Sequence, residues 1–312
     1  MRILSRLGRT AAARGDGTLI LFHNTMWGSS PLGRSLAGPA TRIVTSDRRH
    51  QLAADAVVFH IPTLRRLPRH KPAGQIWVAW SLESEVNYPQ LRDPSFTRHF
   101  DLTATYRRDS DVPLSYVSYY SDSRSLARAL VQPPARKSPD RTAVSLISSR
   151  IDRSGRLEYA DELMRFLDVH SFGRFRRNRR LIDDRGRPSK LDLIAGYKFT
   201  LAFENAIDRD YVTEKFFDPL VAGSVPVYMG APNVEDFAPG DCCYISTRNF
   251  GEPRDLATFL RDLGRDDIAY RSYMDWKRLP LRPAFEAFLE SQSLPFLDRL
   301  FDKVEALRRA AG

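Results

Sequence analysis

Apolar residues in this chain gather mostly into short continuous runs rather than strict alternation, the pattern of strands buried on both faces. In the first half the runs are Leu19 to Phe22 (LILF), Ala56 to Phe59 (AVVF) and Gln75 to Trp80 (QIWVAW). In the second half Ala143 to Ile147, Phe199 to Phe203 and Val225 to Met229 have the same character, and Cys243 to Ile245 is a further short candidate. Between and after them, apolar residues recur three and four apart: Leu157, Ala160, Leu163, Met164 and Leu167; Leu256, Phe259, Leu260 and Leu263; Leu297, Leu300, Phe301, Val304 and Leu307. That period predicts amphipathic helices. Strands alternating with helices imply an α/β architecture with parallel sheets.

The segment from Gln132 to Arg141 (QPPARKSPDR) holds three prolines, which disfavour helix and strand interiors alike, so it is expected to be a linker. It divides the 312 residues into 1–138 and 139–312, each long enough for a domain. No uninterrupted apolar run approaches the roughly 18 residues of a membrane-spanning helix. The first fifteen residues carry Arg2, Arg6, Arg9 and Arg14 without an apolar stretch, so they read as a basic arm rather than a secretory leader. An organelle transit peptide has a similar composition, but Leu19 begins fold-forming sequence soon after. Two adjacent cysteines, Cys242 and Cys243, make neither a disulfide framework nor a zinc site, which fits a reducing, cytoplasmic compartment. A net charge of +10 favours polyanionic partners: nucleic acid, an anionic membrane face or a phosphorylated small molecule. One basic cluster, Arg174 to Arg180 (RFRRNRR), is interleaved with Phe175 and follows Phe172, the composition of a nucleic-acid patch without its supporting motifs.

The densest chemistry lies between Tyr197 and Gly230. Strand, polar loop, helix and strand follow one another there, a unit that places ligands at the carboxyl ends of its strands beside a helix N-terminus. Glu204, Asn205, Tyr211, Glu214 and Lys215 crowd that loop and helix start. Thr213 is positioned to cap the helix and Gly223 to close it, while Pro219 inside it predicts a bend near Asp218. Lys215 in a first helical turn opposes the macrodipole unless an anion lies beside it. A second loop, SSRIDRSGR, joins a strand to a helix with Arg153 and Arg156 in it, and Arg156 is the preferred anion ligand. Glu83 stands just past the third apolar run, with Glu85 as its rival. Asp109-Ser-Asp111 and Asp208-Arg-Asp210 have the D-x-D spacing of a divalent-metal bridge, but arginines flank the first pair closely enough to neutralise it.

With these residues set out, the sequence resembles the α1,3-fucosyltransferases of glycosyltransferase family 10. FENAIDRDYVTEKF followed by AGSVPVYMGAPN carries the resemblance, and ADAVVFH, WSLESEVNYP, TYRRDSDV and SGRLEYADELMRFLDVHSFG extend it over most of the chain. It implies a GT-B-like fold, two Rossmann-like domains facing a central cleft, with the acceptor bound by residues 1–138 and GDP-fucose by 139–312. It further implies Glu83 as general base, Arg156 and Lys215 on the diphosphate, Glu214 on the fucose hydroxyls, and Asn205 and Tyr211 on the donor nucleotide. The implied reaction is inverting transfer of L-fucose to a GlcNAc or N-acetyllactosamine-like glycan, α1,3-linked. No metal site and no required cofactor are implied, with a divalent ion at most stimulatory. In bacterial members, which act in protein glycosylation or lipopolysaccharide synthesis, a basic C-terminal helix lies at the membrane surface, so cytoplasmic residence with peripheral inner-membrane contact is the corresponding expectation. The family usually has proline at the place of Glu85 and often asparagine at that of Ser149. Two other readings stand beside this one: another nucleotide-sugar transferase on the same fold, or a basic protein binding nucleic acid or an anionic surface. The segments expected to meet the acceptor, Asn24 to Arg34 and Pro62 to Pro72, carry no readable code.

Overall fold

A computed structural model describes residues 17–27, 41–138 and 140–311. The expected basic arm over the first fifteen residues, and Gly28 to Arg34 of the candidate acceptor segment, lie outside the described residues.

Among the described residues ten strands form two five-stranded sheets. The first holds β1 (Thr18–Phe22), β2 (Arg42–Thr45), β3 (Ala56–His60), β4 (Ile76–Ser81) and β5 (Leu102–Thr105) in the order β2-β1-β3-β4-β5. The second holds β6 (Ala143–Ser145), β7 (Val169–Ser171), β8 (Phe199–Phe203), β9 (Val225–Met229) and β10 (Ile245–Ser246) in the order β10-β9-β8-β6-β7. Every pairing is parallel. Read from β7, the second order repeats the first, a doubly wound arrangement whose strand order reverses between β1 and β3 and again between β6 and β8. Ligands in such sheets bind outside the carboxyl ends of the strands flanking that reversal. The helices are α1 (Pro94–Thr97), α2 (Ser123–Leu130), α3 (Arg156–Leu163), α4 (Arg187–Ala195), α5 (Glu214–Ala222), α6 (Pro253–Arg265), α7 (Asp267–Ser272), α8 (Pro283–Ser291) and α9 (Phe296–Ala311).

The apolar runs are the inner strands, except Cys243 to Ile245, which overlaps the edge strand β10. All five residues of β3, β8 and β9 are buried, because a parallel strand covered on both sides has no solvent face. The three strands the runs do not predict, β2, β5 and β7, all lie at sheet edges, where β2 and β7 keep partly exposed positions.

Two compact units divide the chain differently from the expected 1–138 and 139–312: one comprises residues 1–114 with 294–312, the other 115–293. Packing explains the difference. Leu126 and Leu130 of α2 share a core cluster with Phe216, Phe217 and Leu220 of α5, so the chain ahead of the Pro-rich segment already belongs to the second unit. The Pro-rich segment runs largely exposed along the second unit and meets it closely where a Cβ on Gly223 would sit 2.7 Å from that of Pro134.

The last helix returns to the first unit. Leu297, Leu300, Phe301 and Val304 of α9 lie in one core with Ile20, Phe22, Val58 and Val78. Arg42 on β2 meets Asp302 at 2.5 Å and Glu305 at 2.8 Å, while Arg308 pairs with Asp55 at 3.1 Å. The apolar stripe that suggested contact with a membrane is thus spent on the protein's own sheet. Among the described residues no helix is long and apolar enough to cross a membrane.

Candidate functional site

Five of the six residues singled out in the sequence fall in the second unit, around the reversal between β6 and β8. Glu204, directly after β8, is fully buried. Its two oxygens accept from the Thr213 main-chain N–H and from the Thr213 hydroxyl, each at 2.8 Å. Thr213 also caps α5, accepting from the Lys215 N–H at 3.3 Å and from the Lys215 ammonium at 3.0 Å. That ammonium lies 3.3 Å from Glu204 and 3.3 Å from Glu214. The anion needed to hold a cation at a helix N-terminus is therefore supplied by the chain itself. Burial works against the charge on Lys215, yet the two carboxylates outweigh it and hold the ammonium above the ordinary lysine value. Burial lifts the Glu204 carboxyl, while Lys215 and the two Thr213 donors pull it back. Glu214 is held below the usual glutamate value because Lys215 and Lys190 outweigh its burial.

Glycine makes this arrangement possible at one point. A Cβ on Gly230 would lie 2.6 Å from Glu204 Cγ and 2.4 Å from the Tyr228 hydroxyl oxygen, so a larger residue after β9 would displace the buried carboxylate.

Arg156 opens α3 and is 1% exposed. Its Nη1 donates to the carbonyl of Phe203 at 3.0 Å, and its Nη2 to those of Ser149 at 3.2 Å and Ile151 at 3.1 Å. The guanidinium stitches the loop after β6 to the end of β8 while its Nε stays buried and unpaired. Burial lowers its pKa against the pull of Glu204 and Asp152. The N-terminus of α3 is occupied by the protein: the Asp152 carboxylate accepts from the N–H groups of Ser154, Arg156 and Leu157 at 3.2, 3.1 and 3.0 Å. The main-chain anion cradle expected at that helix start is thus filled by an aspartate, and the Arg156 guanidinium, expected on an anion, is instead buried on three main-chain carbonyls. Arg153 is exposed, its N–H donating to the Asn205 carbonyl at 2.7 Å.

Asn205 and Tyr211 are both buried in the loop between β8 and α5. The Tyr211 ring meets that of Tyr116 edge-on at 6.4 Å. Asp210 turns the chain at φ +66°, and Asn233 fixes it there, accepting from the Asp210 N–H and donating to its carboxylate, both at 2.9 Å. The Asp208 carboxylate accepts from the Arg209 N–H at 3.0 Å and that of Asp210 from Asn233, while Asp111 accepts from the Thr103 N–H and hydroxyl and Asp109 pairs with Arg107. Neither D-x-D converges on a common point, and among the described residues no group of three His, Cys, Asp or Glu is placed to hold a metal.

Glu83 belongs to the first unit, two residues past β4 and half-buried. Its N–H donates to the Ser81 hydroxyl oxygen at 3.1 Å, and that hydroxyl donates back to the Glu83 carbonyl at 3.0 Å. Its rival Glu85 is ion-paired with Arg92 at 3.1 Å.

The sequence places Glu204 in the crowded loop without giving it a role, and gives no sign of Asp152. The signal for the first was available: a carboxylate directly after five apolar strand residues must be buried, and a buried carboxylate needs partners.

Comparison with known proteins decides the affiliation. Residues 136–295 match the family described as Glycosyltransferase family 10 (fucosyltransferase) C-term, and residues 16–117 match Fucosyltransferase, N-terminal. The chain belongs to glycosyltransferase family 10. GDP-fucose protein O-fucosyltransferase 3 of Mus musculus is 34% identical to this family 10 chain over 289 residues, 88% of the chain and 60% of the relative. The Homo sapiens protein of the same name is 37% identical over 223 residues, 68% of the chain and 46% of the relative. The chain thus spans about half to three fifths of the curated relatives it matches. Among solved structures, an alpha1,3-fucosyltransferase aligns with a TM-score of 0.61 at 18% identity, covering 96% of this chain and 92% of that one. Another, with GDP-fucose, aligns with a TM-score of 0.53 at 16% identity over 96% and 93%. That likeness is one of fold, and it agrees with the two parallel-sheet α/β units: the family 10 chain has the expected GT-B-like class.

Proposed function

We propose that this chain transfers L-fucose from GDP-fucose to an acceptor hydroxyl with inversion at the anomeric carbon. One observation carries the reading: on the family's own segment, at the strand reversal of the second sheet, Lys215 is held as a cation between Glu204 and Glu214 at 3.3 Å each. As the bond from the anomeric carbon to the diphosphate breaks, negative charge grows on the departing GDP. Lys215, with the buried charge of Arg156 behind it, stabilises that charge. Glu214 orients the fucose hydroxyls, and Asn205 and Tyr211 hold the nucleotide. The acceptor oxygen forms its bond to the anomeric carbon and gives its proton to Glu83. These roles need no metal, and activity is expected to survive EDTA.

The acceptor in this proposal is a protein hydroxyl rather than the glycan suggested by the sequence resemblance. What favours it is that the relatives at 34–37% identity are named protein O-fucosyltransferases, whereas the α1,3-fucosyltransferase structures stand at 16–18%.

The test is incubation with GDP-fucose and either folded protein acceptors or N-acetyllactosamine, reading GDP release and the anomeric configuration of the product by NMR. Fucosylated protein with inverted configuration is expected. No GDP release with any acceptor from a folded enzyme would end the transferase reading, and product on the disaccharide alone would end the protein-acceptor one. Lys215→Ala should weaken GDP-fucose binding by about ten-fold or more, whereas Glu83→Gln should lower kcat by about a hundred-fold or more with donor binding kept. Equal loss of donor affinity in both variants would refute this division of roles.

A further inference from the structure

The arginine cluster noted in the sequence plays no part in the site above, and it forms a cavity of its own. About 580 Å³ in volume, it lies beside the edge strand β7 and is lined by Arg141, His170, Arg179, Arg180, Ile182 and Tyr197, among others. Arg141 and Tyr197 precede β6 and β8, so the cavity reaches toward the amino ends of the strands whose carboxyl ends carry Glu204 and Arg156.

Its walls are ordered by an unusual edge closure. Asn178 stands in for a neighbouring strand: its Oδ1 accepts from the Ser171 N–H at 2.8 Å and its Nδ2 donates to the Val169 carbonyl at 2.9 Å. The N–H groups of Asn178 and Arg179 both reach the Ser171 carbonyl at 3.0 Å. The edge of β7 is thereby sealed against strand addition, and the arginine-bearing chain is fixed along it.

The cations so presented are not neutralised. Among the described residues no carboxylate lies within ion-pair distance of Arg141, Arg179 or Arg180, nor of neighbouring Arg174 and Arg177, although Arg176 and Arg185 are paired. Arg141 rests over the Tyr197 ring at 5.6 Å. Arg179 reaches His170 Nε2 at 3.1 Å and the Asn178 carbonyl at 3.1 Å. Beside them Ile182 projects fully into solvent.

We infer that this cavity binds an acidic polypeptide segment, its carboxylates on Arg141, Arg179 and Arg180 and an apolar side chain against Ile182. The mixture of groups selects that class. Asp140 lines the cavity beside these cations, Asp183 and Asp192 are already held by Arg185 at 3.1 Å each, and the exposed Ile182 offers an apolar contact that a polypeptide side chain can use and a run of phosphates cannot. Tyr197 is 1% exposed with its ring taken by Arg141 and His170, and Phe172, also in the lining, is partly buried and meets Tyr197 edge-on at 6.4 Å, so neither ring is a fully exposed face for an unpaired base. A concave wall of alternating sign is likewise a poor match for a flat anionic bilayer.

The test uses the full chain and a labelled peptide of glutamates with one central leucine, measured by fluorescence anisotropy at low salt. A combined Arg141→Gln, Arg179→Gln, Arg180→Gln variant should bind at least about ten-fold more weakly, and Ile182→Ser more weakly to a smaller degree. A control variant with Arg49, Arg98 and Arg278 changed to glutamine has the same net charge and should bind as the parent does. Circular dichroism and the melting temperature verify that each variant is folded. Absence of peptide binding by the parent, equal weakening in the control, or tighter binding of a single-stranded oligonucleotide or of phosphatidylserine vesicles than of the peptide would each overturn the assignment.

Discussion

At the scale of single residues, the buried charges differ in how completely they are answered. Glu204 has a partner on each oxygen, and removing one side of such an arrangement strands the other. Glu204→Gln is expected to cost about 2–4 kcal/mol of stability and to reduce protection by GDP against thermal unfolding, since Lys215 loses the carboxylate that fixes it. Differential scanning fluorimetry with and without GDP measures both. His60 is the opposite case. It is fully buried at the end of β3, with Nδ1 at 2.9 Å from the Thr63 hydroxyl and Nε2 without a partner. Burial lowers its pKa to about 4 from 6.5, so on acidification the unfolded chain takes up the proton first. The stability tied to neutral His60 is complete above about pH 6.5, and drains away until about pH 4, by at most about 3 kcal/mol. Urea midpoints at these two pH values should therefore differ less in His60→Gln than in the parent. The place of His60 at the end of an apolar run hints at burial, as for Glu204, but not that one ring nitrogen would lack a partner.

At the scale of elements, α5 shows why local rules read well here. Thr213 caps it and Gly223 closes it at φ +73°, as their residue types require. The helix nevertheless runs through Pro219 to Ala222 instead of breaking there, because tertiary packing of Phe216, Phe217 and Leu220 in a shared core outweighs one missing hydrogen bond. Its last turn also has a partner from far along the chain: the Lys277 ammonium donates to the carbonyls of Leu220 at 2.7 Å and Leu130 at 2.5 Å, tying together the ends of α5 and α2. Lys277→Ala would leave two buried carbonyls unanswered and is expected to lower stability by about 2–4 kcal/mol in chemical denaturation. Inner strands were legible because burial on both faces writes an unbroken apolar run. Edge strands β2 and β7 wrote no such run, since a partly exposed strand tolerates Arg42 or His170. The site was legible where residue type and place coincide, as with Glu214 and Lys215 at a helix start. It was not legible at Asp152, whose role depends on a loop folding back on its own helix.

At the scale of the molecule, the unit boundary could not be read from proline content, because the exposed Pro-rich segment lies within the second unit and is tied to it at Lys137 and Ser138. A better guide would have been the final helix, whose stripe of four apolar residues needed a core and found it in the first sheet. Burying each such side chain contributes about 1.5–3 kcal/mol, so their sum rivals the stability of a whole domain. Ending the chain at Ser293 should therefore unfold the first unit while the second retains its parallel sheet. Limited proteolysis should then cut within residues 41–114 and spare 143–246.

The return of α9 to the first sheet also sets an order of events during synthesis. The second unit is complete when Ser293 has emerged, whereas the first waits with an open apolar sheet face until the closing segment is made. The unit whose strands are synthesised first is thus the one finished last, and a growing chain must keep that exposed face from misassociating while the second unit forms behind it.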